Sequence, residues 1–451
     1  MPRLSLAILA LILPLLIAQA QNAGKEQPVA PPVIHPAIGE TVTSPDGRFS
    51  ITLVDRKQNY DWSRTTSRDP GVVSPKSVNI TPDGKRYYIN SLEGARTICY
   101  DMSSGEKLAS IHHSIGKRHR ALWTGAEEIY PFDTVYRHPR VFTGKPVEGA
   151  FSHAGRYLWI PYYRRSYDLN AQDPSAIAVI DTSGDSIVRL IDTGPLPKMI
   201  AASPDGRHMA VAHWGNNTVG IIDITSDSPA DWHHEPYHII DYKMRLRFSR
   251  TEPVNRDTGS GNALRGTVFT PCSRYLLVGC MGGTGGIAVI DMTARKYKGK
   301  LTGMMPNVRH LDISSDGYLY LSINKGGYLQ RLSLDSLYCD IERMEGKTHM
   351  VTGWQSCKVG AGARTVSLSP DGRIAYVACN TVSKLYAVDT ATMTVLASID
   401  ADSYPVGLDV SPDGQTVIVT SQGRPGAKSA GNAIDIYKVE SRHQQPSVPH
   451  K

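Results

Sequence analysis

The sequence predicts an all-β fold: a seven-bladed β-propeller of four-stranded blades, with the last blade closed by an N-terminal strand. The first observation is a unit of four short apolar runs separated by turns, clearest over residues 363–399. The second is the recurrence of this unit at a spacing of about 40 residues, the period of a propeller blade. The third is that the final unit, residues 406–440, holds three strands, while residues 49–54 form a lone strand. The lone strand is therefore expected to complete the final blade and leave no sheet edge exposed.

The N-terminus has the pattern of an export signal. Arg3 precedes an apolar run over residues 4–17, and Ala-Gln-Ala at residues 18–20 supplies a cleavage site. The run is short for a membrane span. We therefore predict a signal peptide over residues 1–20 and an exported protein, periplasmic or secreted, that does not span a membrane. Residues 21–40 are predicted as a linker, residues 41–441 as the propeller and residues 442–451 as a C-terminal tail.

Turn residues mark the hairpins of each blade. A turn of the Pro-Asp-Gly kind, whose residues favour tight reversals, lies between the predicted first and second strands of every unit. These turns occupy residues 82–84, 153–155, 204–206, 271–273, 315–317, 370–372 and 412–414. The third strand of six units is predicted to end at an aspartate, and these are Asp101, Asp181, Asp223, Asp291, Asp335 and Asp389.

Composition and short motifs exclude some classes of protein. The net charge is +7 over 451 residues, but no dense basic run or aromatic-basic module indicates a nucleic-acid partner. No Cys-x-x-Cys-His motif indicates covalent haem, and Asp168, Asn170 and Asp173 lack the spacing of a calcium loop. We therefore predict no metal and no cofactor. Among the six cysteines, Cys339 and Cys357 flank one insertion and are predicted to form a disulfide.

The repeat has a recurring sequence after its turn. Residues 376–380 are Tyr-Val-Ala-Cys-Asn and residues 388–390 are Val-Asp-Thr, while the third unit has Ala-Val-Ala-His at residues 210–213. This pattern resembles the YVTN family of β-propeller repeats over residues 72–440. The resemblance implies an exported or surface-layer-type propeller similar to the lactonase-like propellers, and it assigns no catalytic residue.

The insertions are predicted to lie on one face of the propeller. Two long links, residues 112–146 and 231–264, join consecutive blades, and residues 163–174 and 423–432 are long second-to-third-strand loops. In a propeller these connections share a face, whereas the opposite face has tight turns, apart from residues 336–352. Because long loops on a rigid scaffold usually carry binding sites, we expect the ligand on the elaborated face.

A cation recurs seven residues before the turn in five of the seven blades. At this point the innermost strand begins, at the mouth of the central channel, and equivalent side chains converge there. Converging like charges are unfavourable unless an anion compensates them, and arginine suits carboxylate or phosphate. The alternative is that the cations pair with Glu127, Glu128, Asp133 or Glu148 and brace the links. The five cations are Lys76, Lys198, Arg265, Arg309 and Arg364, and the two exceptions are Val147 and Val406.

Five further residues are predicted to lie near the mouth. His213 ends a second strand and is the one good general acid or base among the residues that end second strands, although a packed histidine beside Trp214 is the alternative. Asn324 and Asn380 follow second strands and can donate hydrogen bonds to a ligand or shape turns. Arg164 is expected on the rim.

Two functions follow from this set. The first is a binding scaffold whose cationic mouth holds an anionic small molecule, a glycan or a protein segment, with a protein partner on the inserted-loop face as a variant. The alternative is a lactonase-like hydrolase of an acidic sugar or lactone, with His213 or a loop carboxylate as base. A cofactor-bearing oxidoreductase is disfavoured because haem and adjacent-cysteine motifs are missing.

Overall fold

The computed structural model describes residues 34–59, 67–123, 129–132, 136–256, 259–423 and 431–441. Seven β-sheets form seven blades, and the innermost strands of neighbouring blades pack against each other around a ring. This architecture confirms the predicted all-β, seven-bladed propeller. Hydrophobic clusters lie between neighbouring sheets, so that each blade buries its faces against the next.

The N-terminal strand closes the ring as predicted. It is β2 (Phe49–Gln58), and it pairs antiparallel with the last strand, β33 (Ala433–Ser441). The strand is longer than the predicted residues 49–54, because the pairing resumes after a register shift between Leu53 and Asp55. Two short strands, β1 (Thr41–Thr43) and β3 (Ser67–Arg68), flank it.

Blades 1 to 3 follow in chain order. In blade 2 the innermost strand is interrupted, and the preceding link adds a short strand to the same sheet. Link residues Lys117–Leu122 and turn residues His153–Gly155 form 3-10 helices. The strands are β4 (Pro75–Ile80), β5 (Arg86–Ser91), β6 (Arg96–Asp101), β7 (Lys107–His112), β8 (Ser114–Ile115), β9 (Phe142–Pro146), β10 (Ala150–Ser152), β11 (Tyr157–Arg165), β12 (Ser175–Asp181), β13 (Ser186–Thr193), β14 (Pro197–Ala202), β15 (His208–His213), β16 (Thr218–Asp223) and β17 (His233–Ile239).

Blades 4 to 7 complete the ring. Blade 4 gains an outer parallel strand from the insertion that follows the third strand of blade 5. The strands are β18 (Leu264–Phe269), β19 (Tyr275–Cys280), β20 (Ile287–Asp291), β21 (Lys296–Thr302), β22 (Val308–Ile313), β23 (Tyr318–Ile323), β24 (Tyr328–Ser333), β25 (Thr348–Met350), β26 (Gln355–Lys358), β27 (Ala363–Leu368), β28 (Ile374–Cys379), β29 (Lys384–Asp389), β30 (Thr394–Asp400), β31 (Pro405–Val410) and β32 (Thr416–Ser421).

The insertion in blade 5 contains helix α1 (Leu334–Glu342). The sequence places the end of the preceding strand at Asp335, but the strand ends at Ser333. The reason is that the Ser333 hydroxyl accepts a hydrogen bond from the Ser336 amide, 3.3 Å away, and caps the helix. Leu337 and Ile341 then bury the inner face of the helix against blades 4 and 5.

The predicted disulfide is wrong. All six cysteines are free thiols. Cys357 lies on β26 and points into the core beside Leu329, whereas Cys339 is exposed on α1. The two residues flank one insertion in the sequence, but the Cys357 side chain is buried in the core and the Cys339 side chain faces solvent.

The structure has no helix, within the described ranges, that is both long enough and apolar enough to cross a bilayer. The predicted signal peptide, the N-terminal part of the linker and the C-terminal tail lie outside the described residues.

Candidate functional site

The channel mouth is shaped by a β-bulge that recurs in the innermost strand of six blades. In blade 1, Pro75 and Ser77 pair with consecutive residues of β5, so Lys76 is the extra residue. A bulge re-aims its side chain relative to the strand, and the sequence spacing of the cations is the spacing of this bulge. The bulge residues are Lys76, Lys198, Arg265 with Gly266, Arg309, Arg364 and Val406.

Four of these cations act on one another. Burial lowers the pKa of Lys76 well below its ordinary value, and the charge of Arg364 lowers it further. Arg265 and Arg309 add to that effect, and Glu148 opposes it. Strands of four different blades therefore bring these side chains together, and we call Lys76, Arg265, Arg309 and Arg364 the cation cluster. Lys76, Arg265 and Arg364 are buried, and Arg309 is half-buried.

Two titratable residues stand beside the cation cluster. Glu148 Oε1 lies 3.5 Å from Lys76 Nζ, which is one of the bracing pairs that the sequence allows. Burial lowers the pKa of His310 to about 4; Glu148 opposes this shift, and Arg309 and Lys76 reinforce it. His310 Nδ1 has no hydrogen-bond partner within the described chain. The mouth therefore holds a carboxylate and a neutral imidazole beside several positive charges.

Trp214 supports two of the bulge cations. The Arg265 guanidinium lies 3.9 Å from the centre of its indole ring, and Lys198 Nζ lies 5.5 Å from the same ring. Lys198 Nζ is also 4.1 Å from the Tyr163 ring centre. The indole Nε1 donates to Ser260 Oγ in the link between blades 3 and 4. Such stacking holds a guanidinium in place while leaving its edge able to form hydrogen bonds.

His213 occupies a structural position. Its side chain is completely buried, and its Nε2 and Nδ1 lie 2.7 Å and 2.8 Å from the hydroxyls of Thr193 and Thr218. Burial lowers its pKa to about 3, so the ring is neutral. A histidine with both nitrogens engaged and no exposed surface is not available to a ligand, and we leave it out of the site.

The remaining predicted residues hold the scaffold near the mouth. Asn324 Nδ2 donates to the Ala363 carbonyl at 3.3 Å, which ties blade 5 to the start of β27. Asn380 is buried in the turn after β28, where Thr381 Oγ1 donates to its Oδ1 at 3.4 Å. Arg164 donates to the Asp168 carbonyl at 3.2 Å inside its own loop.

Two of the innermost strands carry an aspartate three residues beyond the bulge position. Asp312 follows Arg309 by three positions, and Asp409 follows Val406 in the same way. Burial raises the pKa of Asp312 to about 7, backbone hydrogen bonding opposes this, and the charge of Asp409 adds to it. Burial also raises the pKa of Asp409 to about 6. Because strands advance about 3.3 Å per residue, this acidic level lies roughly 10 Å along the strand from the cation cluster.

The long loops of the elaborated face pack on one another. Arg250 of the link between blades 3 and 4 lies 2.8 Å from Asp173 of the second-to-third-strand loop in blade 2. In the same loop, Asn170 Nδ2 donates to the carbonyls of Ser249 and Glu252. The carboxylates Glu127, Glu128 and Asp133, which the bracing alternative invokes, lie outside the described residues.

Sequence reasoning missed the second layer of the site. Glu148, named there only as a bracing partner, follows Val147, and His310 follows Arg309, so both stand one position beyond the bulge position. Comparing every unit one and three positions beyond the cation would have found Glu148, His310, Asp312 and Asp409. The described residues contain no group of three or more His, Cys, Asp or Glu side chains arranged to hold a metal ion.

Comparison with known proteins supports the fold. The chain is similar to antigen Lp49 of Leptospira interrogans (serogroup Icterohaemorrhagiae, serovar copenhageni, strain Fiocruz L1-130), with 25% identity over 211 residues. That match covers 42% of this chain and 42% of the antigen, so it spans less than half the length of the relative. No model of a known protein family matches the chain.

Two solved structures share the architecture. Hydrazine synthase of Kuenenia stuttgartiensis superposes with a TM-score of 0.55 at 13% identity, covering 80% of this chain and 95% of that one. The β-propeller domain of Cps50 (Swd1) from Myceliophteria thermophila gives a TM-score of 0.54 at 11% identity, covering 81% and 96%. At these identities the likeness establishes the propeller fold alone.

Proposed function

We propose that this chain is an exported propeller that binds an anionic ligand at its channel mouth: a small molecule, a glycan or an acidic protein segment. The observation that carries the proposal is geometric: β-bulges in the innermost strands of four blades bring Lys76, Arg265, Arg309 and Arg364 together. Burial and the charges of the three arginines lower the pKa of Lys76. Like charges from four blades that converge in this way are an arrangement that an anion relieves.

The acidic level sets how far an anion can enter. Asp312 and Asp409 lie on innermost strands beyond the cation cluster, and both side chains are partly exposed. A ligand that carries negative charge gains energy at the cation cluster, and it loses energy against Asp312 and Asp409 at pH values above their pKa values of about 7 and about 6, where they are ionised. We therefore place its anionic group at the bulge level.

The test is a thermal-shift screen of residues 21–451 with sugar acids, phosphosugars, lactones and acidic glycan fragments. A ligand that binds the native state raises the melting temperature by mass action. The substitutions Arg309→Gln and Arg364→Gln together are expected to abolish the shift. Arg274→Gln with Arg295→Gln, which removes the same charge from exposed ion pairs with Glu342 and Glu235, is the matched control. Equal shifts in both variants would refute the proposal.

A second candidate is a lactonase-like hydrolase of an acidic sugar or lactone. The observation that favours it is that Glu148 and His310 adjoin the cation cluster, where Glu148 opposes the lowering of the His310 pKa. A carboxylate can act as the base that activates water, while neighbouring cations polarise the carbonyl of a lactone. If the protein hydrolyses a bound lactone, and Glu148→Gln reduces the turnover about a hundredfold without weakening binding, the hydrolase is established. If Glu148→Gln does not change the turnover, the hydrolase is rejected and the binding scaffold is retained.

Export is tested on the whole chain. Expressed with its native N-terminus, the protein is expected to be recovered outside the cytoplasm and to begin at Gln21, as the cleavage pattern after Ala20 requires. A cytoplasmic protein that retains Arg3 would contradict the proposed localisation.

A further inference from the structure

Described residues of the link between blades 1 and 2 line an open cavity that is separate from the channel mouth. Its volume is about 840 Å³, within the range of about 300–1,000 Å³ typical of small-molecule sites. We call it the link pocket. It is lined by Gly116, Lys117, Arg120, Trp123, Phe132, Arg137, His138, Pro139, Arg140 and Val141.

Among the residues that the structure describes, the lining holds four cations, Lys117, Arg120, Arg137 and Arg140, and no carboxylate. Glu127, Glu128 and Asp133 of the same link lie outside the described residues. The side chains of Lys117, Arg120 and Arg137 are exposed, and none of them forms a hydrogen bond or ion pair with the parts of the chain that the structure describes. Exposed cations normally find a carboxylate partner or scatter over the surface. Here three of them face one cavity.

Two further arginines lie at the base of the link pocket. Arg140 and Arg165 both bind Asp192, at 2.7 Å and 2.6 Å. Both guanidinium groups also stack on Trp123, at 5.0 Å and 5.6 Å from the ring centre. Arg165 is completely buried and lies 4.3 Å from the Phe132 ring centre. The buried Arg165 and the partly exposed Arg140 hold the aromatic wall in place before a ligand arrives, which lowers the entropic cost of binding.

The apolar part of the lining narrows the ligand class. Trp123 and Phe132 present aromatic surface, and Val141 is 41% exposed beside them. A small inorganic anion would bind the cations and leave this apolar surface in contact with water. A ligand that carries a ring gains contact with the aromatic wall while its charged groups reach the cations.

We propose that the link pocket is a second anion site, which takes a small polyanion built on a ring. The shared chemistry is two or more phosphate, sulfate or carboxylate groups on a ring scaffold, supplied by a phosphorylated nucleoside or by an acidic oligosaccharide. This inference does not rest on the proposed function of the channel mouth, because the two sites share no residue.

The experiment titrates the mature protein with ADP, with trigalacturonate and with inorganic pyrophosphate, following tryptophan fluorescence and calorimetric heat. Trp123 lines the pocket, so a bound ring changes its emission. The variant Lys117→Ala/Arg120→Ala/Arg137→Ala is expected to weaken binding of ADP or trigalacturonate about tenfold or more. The control Arg48→Ala/Lys85→Ala/Arg373→Ala removes three exposed cations elsewhere, each beside an aspartate of its own turn.

The outcomes separate the two sites. Weaker binding in the pocket variant, with unchanged binding in the surface control and in Arg309→Gln/Arg364→Gln, supports the link pocket, and the better of the two ring probes identifies the source. Pyrophosphate binding as tightly as both ring probes overturns the ring requirement. No binding of any probe, or equal loss in the pocket variant and the surface control, overturns the site.

Discussion

Two buried charge clusters of this propeller have opposite electrostatic balance. At the ring closure, which we call the closure lock, Arg56 Nε lies 2.5 Å from Asp435 and 3.6 Å from Asp402, and all three side chains are at most 1% exposed. Burial lowers the pKa of Arg56, but Asp435 and Asp402 outweigh it and raise the pKa. In the cation cluster, burial and the neighbouring arginines lower the pKa of Lys76.

The sign of the shift separates stability from binding. In the closure lock, two carboxylates of the chain itself favour the charged form of the arginine. At the cation cluster, the neighbours disfavour the charged form of Lys76, so that charge costs folding energy in the absence of a ligand. Residues that a fold holds together at such a cost are candidates for binding.

Breaking the closure lock should have the largest effect. Arg56→Met leaves Asp402 and Asp435 buried without their cation, and we expect it to lower the free energy of unfolding by about 3–5 kcal/mol. Chemical denaturation measures the loss. Arg48→Met, which removes an exposed arginine just before the same strand, is the control and should change stability by less than about 0.5 kcal/mol. A similar small loss for Arg56→Met would remove the distinction between the clusters.

The pH dependence of stability that the buried, neutral His213 causes should be the next largest effect. The folded-state pKa of His213 is about 3, below the ordinary value, so the unfolded chain binds more protons between these values and stability falls as pH decreases. Between pH 6.5 and pH 5, His213→Gln should therefore reduce the fall in the free energy of unfolding by about 2 kcal/mol. Denaturation at several pH values measures the slope, with the exposed His233→Gln as control. A slope unchanged by His213→Gln would contradict the structural role.

Removing a charge from the cation cluster should cost little or even stabilise. Lys76→Met is expected to change the unfolding free energy by less than about 1 kcal/mol in either direction at neutral pH. The pKa of Lys76 is lower in the folded protein than in the unfolded chain. Between these two pKa values the unfolded chain binds more protons, so the free energy of unfolding of the wild type increases as pH rises. Lys76→Met should abolish this increase. A loss comparable with that of Arg56→Met would show that Lys76 braces the fold.

Proton uptake on binding is the smallest effect. An anion at the mouth favours the charged form of Lys76, so binding at about pH 9 should take up a fraction of one proton. Calorimetry in two buffers of different ionisation enthalpy detects it, and Lys76→Met should abolish it. Uptake that persists in that variant would assign the proton to another group.

The fold could be predicted because each blade repeats its own turn chemistry. In the turn of blade 6, Ser369 Oγ donates to Asp371 at 2.6 Å, and blades 1, 3 and 7 repeat the same bond. Such contacts lie within a few residues, so they can be recognised from sequence. The bulge cations could be found for the same reason, since their spacing from the turn is constant.

The rest of the site depends on contacts between blades. His213 follows the pattern of a mouth residue, but its ring lies between Thr193 of blade 2 and Thr218 of blade 3. The closure lock joins Arg56 to residues 346 or more positions later in the chain, and no local pattern relates them. Cys339 is separated from Cys357 by the orientation of α1, which the sequence does not specify.

The most direct test compares melting temperatures of wild type and Arg309→Gln/Arg364→Gln, each with and without an anion that stabilises wild type. If the cation cluster is a binding site, the variant without ligand melts at or above the temperature of wild type, and the anion no longer raises it. If these arginines brace the inter-blade links instead, the variant melts lower and retains the anion-induced shift, which would contradict the account.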